Sequence, residues 1–201
     1  MKRIVQPLAI CALCLGLAWG LGFDSAQAAD FAGSSQCKVC HNKKDEGAQY
    51  DTWKSKEHAK AFETLKSPEA IKIGEEKGLE KPPAESPECI KCHVTAFDAA
   101  SNAVPDKIKL EDGVSCEECH GPGSEHIVLG KKVMFQKDTS IDMAATQAEI
   151  TKETCTKCHN EESPTWDPER YTLEDGTKVG FDFELAKKKI DHSNPKKASG
   201  G

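Results

Sequence analysis

Four pentapeptides carry the chemistry of this chain: Cys37-Lys38-Val39-Cys40-His41, Cys89-Ile90-Lys91-Cys92-His93, Cys116-Glu117-Glu118-Cys119-His120 and Cys155-Thr156-Lys157-Cys158-His159. Each sets two thiols three positions apart with an imidazole directly after them. Thiols at that spacing can each add to one of two vinyl groups on the same edge of a macrocycle, and the histidine is then held beneath the plane, able to ligate iron. This is the attachment pattern of c-type haem. One copy would be ambiguous, since C-x-x-C also serves as a redox dithiol or half of a zinc site. A disulfide framework gives no reason for a histidine after every pair, and in a zinc ribbon that histidine would be redundant. Four haems c are therefore expected, attached through Cys37, Cys40, Cys89, Cys92, Cys116, Cys119, Cys155 and Cys158, with His41, His93, His120 and His159 as proximal ligands.

Four irons offer eight axial positions, and the chain has 7 His. The three outside the motifs, His58, His126 and His192, are the candidate distal ligands. One iron is then a ligand short. Met134 or Met143 could fill the gap, because Met/His ligation is common in cytochromes c and raises the potential. Neither methionine has a distinguishing neighbourhood, so an open iron is the leading expectation.

The elements that must hold these ligands are short. Residues 44–66 read as one helix, with Trp53, His58, Ala61, Phe62 and Leu65 along a stripe. Ser67-Pro68 ends it and caps the next helix, with Pro68 at the first helical position. Gly121-Pro122-Gly123 predicts a turn that lets backbone pass close to a macrocycle before His126. A helix containing Phe183, Leu185, Ala186 and Ile190 ends at His192, with Lys187, Lys188 and Lys189 on its solvated face. Residues 170–173 and 177–180 flank Glu174-Asp175-Gly176 as a small hairpin. Glu117 and Glu118 read as exposed polar filler or as tuners of the local iron. The tail from Asn194 to Gly201 reads as frayed.

The start of the chain reads as a targeting segment. Lys2 and Arg3 precede an uncharged, mostly apolar run, and Ala26-Gln27-Ala28 supplies a cleavage pattern, so residues 1–28 are expected to be a signal peptide removed on export. No stable membrane insertion is expected after cleavage. Cys11 and Cys14 fall in that leader, which leaves no stray cysteine among the 10 Cys. Residues 29–201 form a single expected domain, since no linker divides them and the motifs are too unevenly spaced for a tandem array.

Composition agrees. The 201 residues are 37% hydrophobic and only 6% aromatic, with 30% charged and a net charge of -6. An ordinary apolar core is poorly supplied, and planar cofactors would make up the interior. The acidic balance argues against a nucleic-acid binder, which needs clustered Lys and Arg. Neither a phosphate-cradling glycine loop nor a hydrolase triad stands out.

Longer stretches resemble a known family. Phe31-Ala32-Gly33-Ser34-Ser35-Gln36-Cys37, then Trp53 with Ser55-Lys56-Glu57-His58-Ala59-Lys60-Ala61, resemble the tetrahaem cytochrome c-554 family, a group of multihaem c-type cytochromes. So do Cys92-His93-Val94 through Phe97, Gly113-Val114-Ser115-Cys116 through His120-Gly121-Pro122-Gly123, and Cys158-His159 with Ser163-Pro164-Thr165-Trp166. The resemblance spans nearly the whole chain after the leader. It implies a mainly α, compact, periplasmic protein, with short helices and loops around four haems and little or no sheet. It also places His58, His126 and His192 at the distal positions and makes the second-motif iron, at His93, the five-coordinate one.

The expected function is an electron-transfer relay between redox proteins, with a hydroxylamine oxidoreductase-like donor implied by the resemblance alone. The rival expectation is a reductase of a small nitrogen oxide such as NO at the open iron of His93. A haem-based sensor ranks last, for want of an appended signalling domain. The sequence does not pair the distal histidines with particular irons.

Overall fold

The computed structural model describes residues 29–193. The expected signal peptide (1–28) and the tail from Asn194 lie outside them. Nine short α-helices occur among the described residues, in the order α1 Ser34–His41, α2 Gln49–Lys54, α3 Ala61–Thr64, α4 Pro68–Glu76, α5 Pro87–His93, α6 Cys116–His120, α7 Ser124–Lys131, α8 Lys152–Thr156 and α9 Phe183–Ile190. A two-stranded antiparallel hairpin, β1 Tyr171–Thr172 and β2 Lys178–Val179, precedes α9. The protein is mainly α with minimal sheet, as expected. Among the described residues, no helix is long and apolar enough to cross a membrane.

Each motif occupies or closes a helix: the first ends α1, the second ends α5, the third forms α6, and the fourth begins in α8. Residues 44–66 are not one helix. They form a 3-10 turn at Lys44–Glu46, α2, a second 3-10 turn at Glu57–Lys60, and α3. The breaks have local causes. Gly47 and Ala48 take positive φ of 104° and 44°, and Lys56 is extended. The stripe itself survives, since Trp53, Phe62 and Leu65 are buried, joined by Ala59 in place of Ala61. Ser67 caps α4 as expected, its hydroxyl accepting from the Ala70 N–H at 3.1 Å with Pro68 at the first position.

The apolar core is small and gathers around the second motif. Phe62, Leu65, Ile90, Val94 and Ile108 form it, with Phe31, Ala84, Cys89, Phe97, Val104 and Leu110 packed around. Burying such a side chain fully is worth about 1.5–3 kcal/mol, so this cluster fixes α3 against α5 but not the other motifs.

Those are tied in by hydrogen bonds, through the strap Gly113-Val114-Ser115 before α6. Val114 N–H donates to the His58 carbonyl at 2.9 Å, and the Val114 carbonyl accepts from Trp53 Nε1 at 2.9 Å. Thr95, fully buried, donates its backbone N–H to the Gly113 carbonyl at 3.0 Å, and its hydroxyl accepts from Ser115 N–H at 2.6 Å. The strap thus joins the segments carrying His58 and His93 to the third motif.

Gly113 permits this approach. Its φ is +59°, and a Cβ there would sit 2.5 Å from the His58 carbonyl oxygen. Gly113→Ala is expected to destabilise the holoprotein by at least about 1–3 kcal/mol, read as a lowered denaturant midpoint, and to disturb the His58 segment first.

Candidate functional site

The structure brings six of the seven histidines together in facing pairs, each joining one motif histidine to one from outside the motifs. The ring centroids of His41 and His126 are 6.0 Å apart, those of His58 and His159 5.9 Å, and those of His120 and His192 6.0 Å. An imidazole nitrogen sits about 2 Å from a metal of this kind, so two imidazoles on opposite sides of one metal place their ring centroids about 6 Å apart. The residues present therefore fit three bis-histidine sites. His93 is the seventh, and its ring belongs to none of these pairs.

The two members of each pair come from distant parts of the chain. His41 ends α1 and faces His126 in the first turn of α7. His120 ends α6 and faces His192, which lies two residues beyond α9 rather than at its end. His58 sits on the 3-10 turn at Glu57–Lys60, and His159 follows α8, donating its backbone N–H to the Cys155 carbonyl at 3.0 Å. The hairpin contributes here, because Phe181 just after β2 stacks on the His159 ring at 5.8 Å and Tyr171 of β1 meets Phe181 edge-on at 6.1 Å.

Behind several rings lies a fixed partner at Nδ1. His93 Nδ1 contacts the Ala61 carbonyl at 2.6 Å and His192 Nδ1 the Ile190 carbonyl at 2.8 Å. A carbonyl only accepts, so Nδ1 carries the proton in both and Nε2 is left bare to ligate. His126 Nδ1 is 2.7 Å from the Thr146 hydroxyl, which gives its own proton to the Met143 carbonyl at 2.7 Å and so accepts from the ring. Such partners fix tautomer and orientation of a ligating histidine. Burial lowers the pKa of His58, His120 and His159, keeping those imidazoles neutral as iron requires. None of these partners carries a sequence signal, since a backbone carbonyl has no residue type and Thr146 lies in an irregular stretch.

All eight motif cysteines are half-buried, and their neighbours order the motifs. Cys37 lies beside Cys116, Cys92 beside Cys158 and Cys119 beside Cys155. The motifs therefore adjoin in the sequence first, third, fourth, second. Met143 lies on the His126 side, its Cε 3.5 Å from where a Cβ on Gly130 would be; no contact of Met134 singles it out as a ligand.

Glu117 and Glu118 are not exposed filler. Glu117 is buried, at 4% exposure, and accepts backbone N–H bonds from Ala32 at 2.7 Å, Gly33 at 2.8 Å and Gly123 at 2.7 Å. Glu118 is half-buried and accepts from Ala96 N–H at 2.9 Å.

With that geometry in view, known proteins give the context. The family described as "Cytochrome c554 and c-prime" matches residues 36–121. Cytochrome c-554 of Nitrosomonas europaea is 30% identical over 199 residues, covering 90% of this chain and 82% of the relative. The structure of reduced cytochrome c554 from Nitrosomonas europaea superposes with a TM-score of 0.50 at 26% identity, covering 86% of this chain and 83% of that one. The class defined by motifs, fold and relatives is a c-type cytochrome, an electron carrier with covalently bound haem c that exchanges electrons with redox proteins. Within that class, the chain belongs to the cytochrome c554 family.

Loss of the Thr146 hydroxyl leaves His126 Nδ1 without its acceptor, and changes behind a ligand of this kind weaken metal binding about 10- to 100-fold. Thr146→Val is therefore expected to convert part of one low-spin haem to high spin in the oxidised visible and near-infrared spectrum, while Thr146→Ser keeps the native spectrum.

Proposed function

We propose that the chain is a periplasmic tetrahaem electron relay. Residues 1–28 act as its cleaved signal peptide, and residues 29–201 form one domain attaching four haems c through the eight motif cysteines. The observation that carries this reading is the set of three imidazole pairs at 5.9–6.0 Å. His41 and His126 serve the first-motif iron, His120 and His192 the third, and His159 and His58 the fourth. His93 alone holds the second. Haem c, when bound, supplies the one-electron couple.

The chain's own residues set how that couple is used. Haems attached at these neighbouring cysteines would adjoin in the order first, third, fourth, second, giving electrons a continuous path with the second-motif site at one end. The oriented imidazoles and the carboxylates of Glu117 and Glu118 set the potentials. The chain's net charge of -6, before any propionates, favours docking with partners that present basic patches. By family resemblance, the donor is a hydroxylamine oxidoreductase-like protein.

A second reading is supported by His93. Its ring faces no other histidine, while its Nδ1 is held by the Ala61 carbonyl with Thr64 Oγ1 at 3.4 Å. His93 would hold an iron there with no second histidine, and that iron would supply binding of a small ligand such as NO, with the other motifs supplying its electrons.

Electron paramagnetic resonance of the oxidised holoprotein tests the ligand set. Three low-spin irons and one high-spin iron are expected; four low-spin signals would overturn the open site. His58→Ala, His126→Ala and His192→Ala should each convert one further iron to high spin. Mixing the reduced protein with NO separates the readings: rapid multiple-turnover reoxidation supports a reductase, and inert binding or none supports the relay alone.

A further inference from the structure

The two residues between the cysteines of the third motif reach beyond their own haem. Glu117 spans to the N-terminal segment and to the turn after α6. Ala32 and Gly33 lead directly into α1, which carries Cys37, Cys40 and His41, and Gly123 precedes α7, which carries His126. One carboxylate thereby fixes the starts of both helices whose histidines face each other across the first-motif site. Gly123 suits the contact, since a Cβ there would lie 3.1 Å from Glu117 Oε1.

Glu118 points the other way. It accepts from Ala96 N–H, three residues after His93, where Ala96 sits at a φ of 53° that an L side chain rarely adopts. The carboxylate thus holds the strained exit of the second motif in place.

Both carboxylates lie inside the third motif, so Glu117 places its charge between that motif and the first, and Glu118 between that motif and the second. A fixed negative charge near a haem favours the ferric form over the ferrous, and the effect is strongest where burial limits screening.

We propose that Glu117 and Glu118 are positioning residues with separate reach, Glu117 lowering the potentials of the first- and third-motif haems and Glu118 those of the second- and third-motif haems. The inference rests on the tetrahaem reading above. It gives the third motif, the haem under both carboxylates, a tuned role inside the relay.

Spectropotentiometric titration of the holoprotein, with spin state followed by electron paramagnetic resonance, tests it through Glu117→Gln and Glu118→Gln. Haem content and mass are measured first for the wild type. Fewer than four haems there overturns the relay reading itself. With four present, Glu117→Gln is expected to raise two low-spin couples, changing their ferrous-to-ferric ratio at fixed potential about tenfold, or about 59 mV for one electron. Glu118→Gln is expected to raise the high-spin couple and one low-spin couple by less, because Glu118 is only half-buried. Glu117→Asp, which keeps the charge, should return those two couples towards their native potentials. Uniform shifts of all four couples, or none, in fully loaded variants would overturn the assignment. Should Glu117→Gln fail to mature, the Glu118→Gln titration decides it alone, since a shift outside the second and third haems contradicts the assignment.

Discussion

Three pairs of imidazoles must meet at one fixed separation, and most of the architecture can be understood as the means of arranging that. A metal held from both sides tolerates little error in the distance between its ligands, yet each pair is drawn from regions far apart in the chain. Hydrophobic packing is non-directional and cannot deliver that accuracy alone. The backbone is instead fixed at the points where ligands emerge: Val114 N–H on the His58 carbonyl, the Glu117 carboxylate at the heads of α1 and α7, and Phe181 against the His159 ring. Carbonyls and a threonine hydroxyl behind His93, His192 and His126 then set which ring nitrogen is bare.

The third motif stands at the middle of this arrangement. The strap leading into it bonds to the His58 segment and to Thr95 after the second motif, its two glutamates bond to the segments before the first motif and after the second, and the turn leaving it opens α7. Its cysteines face the first motif on one side and the fourth on the other. The chain that threads four C-x-x-C-H motifs is therefore organised around one of them. Gly113, at positive φ against the His58 carbonyl, and Gly123, against Glu117, show how closely backbone and carboxylate must approach there.

Much of this could be read from residue types. The C-x-x-C-H repeats declare their chemistry because thiol spacing and the following imidazole are local features, and the same holds for the Ser67-Pro68 cap and the hairpin around Glu174-Asp175-Gly176. Seven histidines cannot form four pairs, and the His93 ring is the one outside the three pairs. Other features resisted because their causes are tertiary. The stripe through Trp53, Phe62 and Leu65 was visible, yet its periodicity concealed the breaks at Gly47-Ala48 and Lys56, where the chain turns so that His58 can meet His159. Glu117 looked like surface filler because charged residues are seldom fully buried unless paired. Its partners are three backbone N–H groups from two other segments, which leave no trace in the sequence around it.

The shortness of the helices follows from the same constraint. Isolated helices below about 12–15 residues are marginal in water, and none of those described here exceeds the nine residues of α4. Several are held at an end by a side chain: Glu117 at the heads of α1 and α7, Ser67 at α4 and Asp182 at α9. A longer helix would carry a ligand past the point where it must face its counterpart, since successive residues rotate around the axis and only one turn presents the imidazole correctly. Short segments with separately fixed ends allow each histidine to be aimed on its own. The consequence is a fold whose stability is distributed among polar clamps and cofactor attachments, with one modest apolar cluster beneath the second motif. That cluster packs α3 against α5 beside His93, so apolar packing is concentrated at the motif whose histidine stands outside the three imidazole pairs.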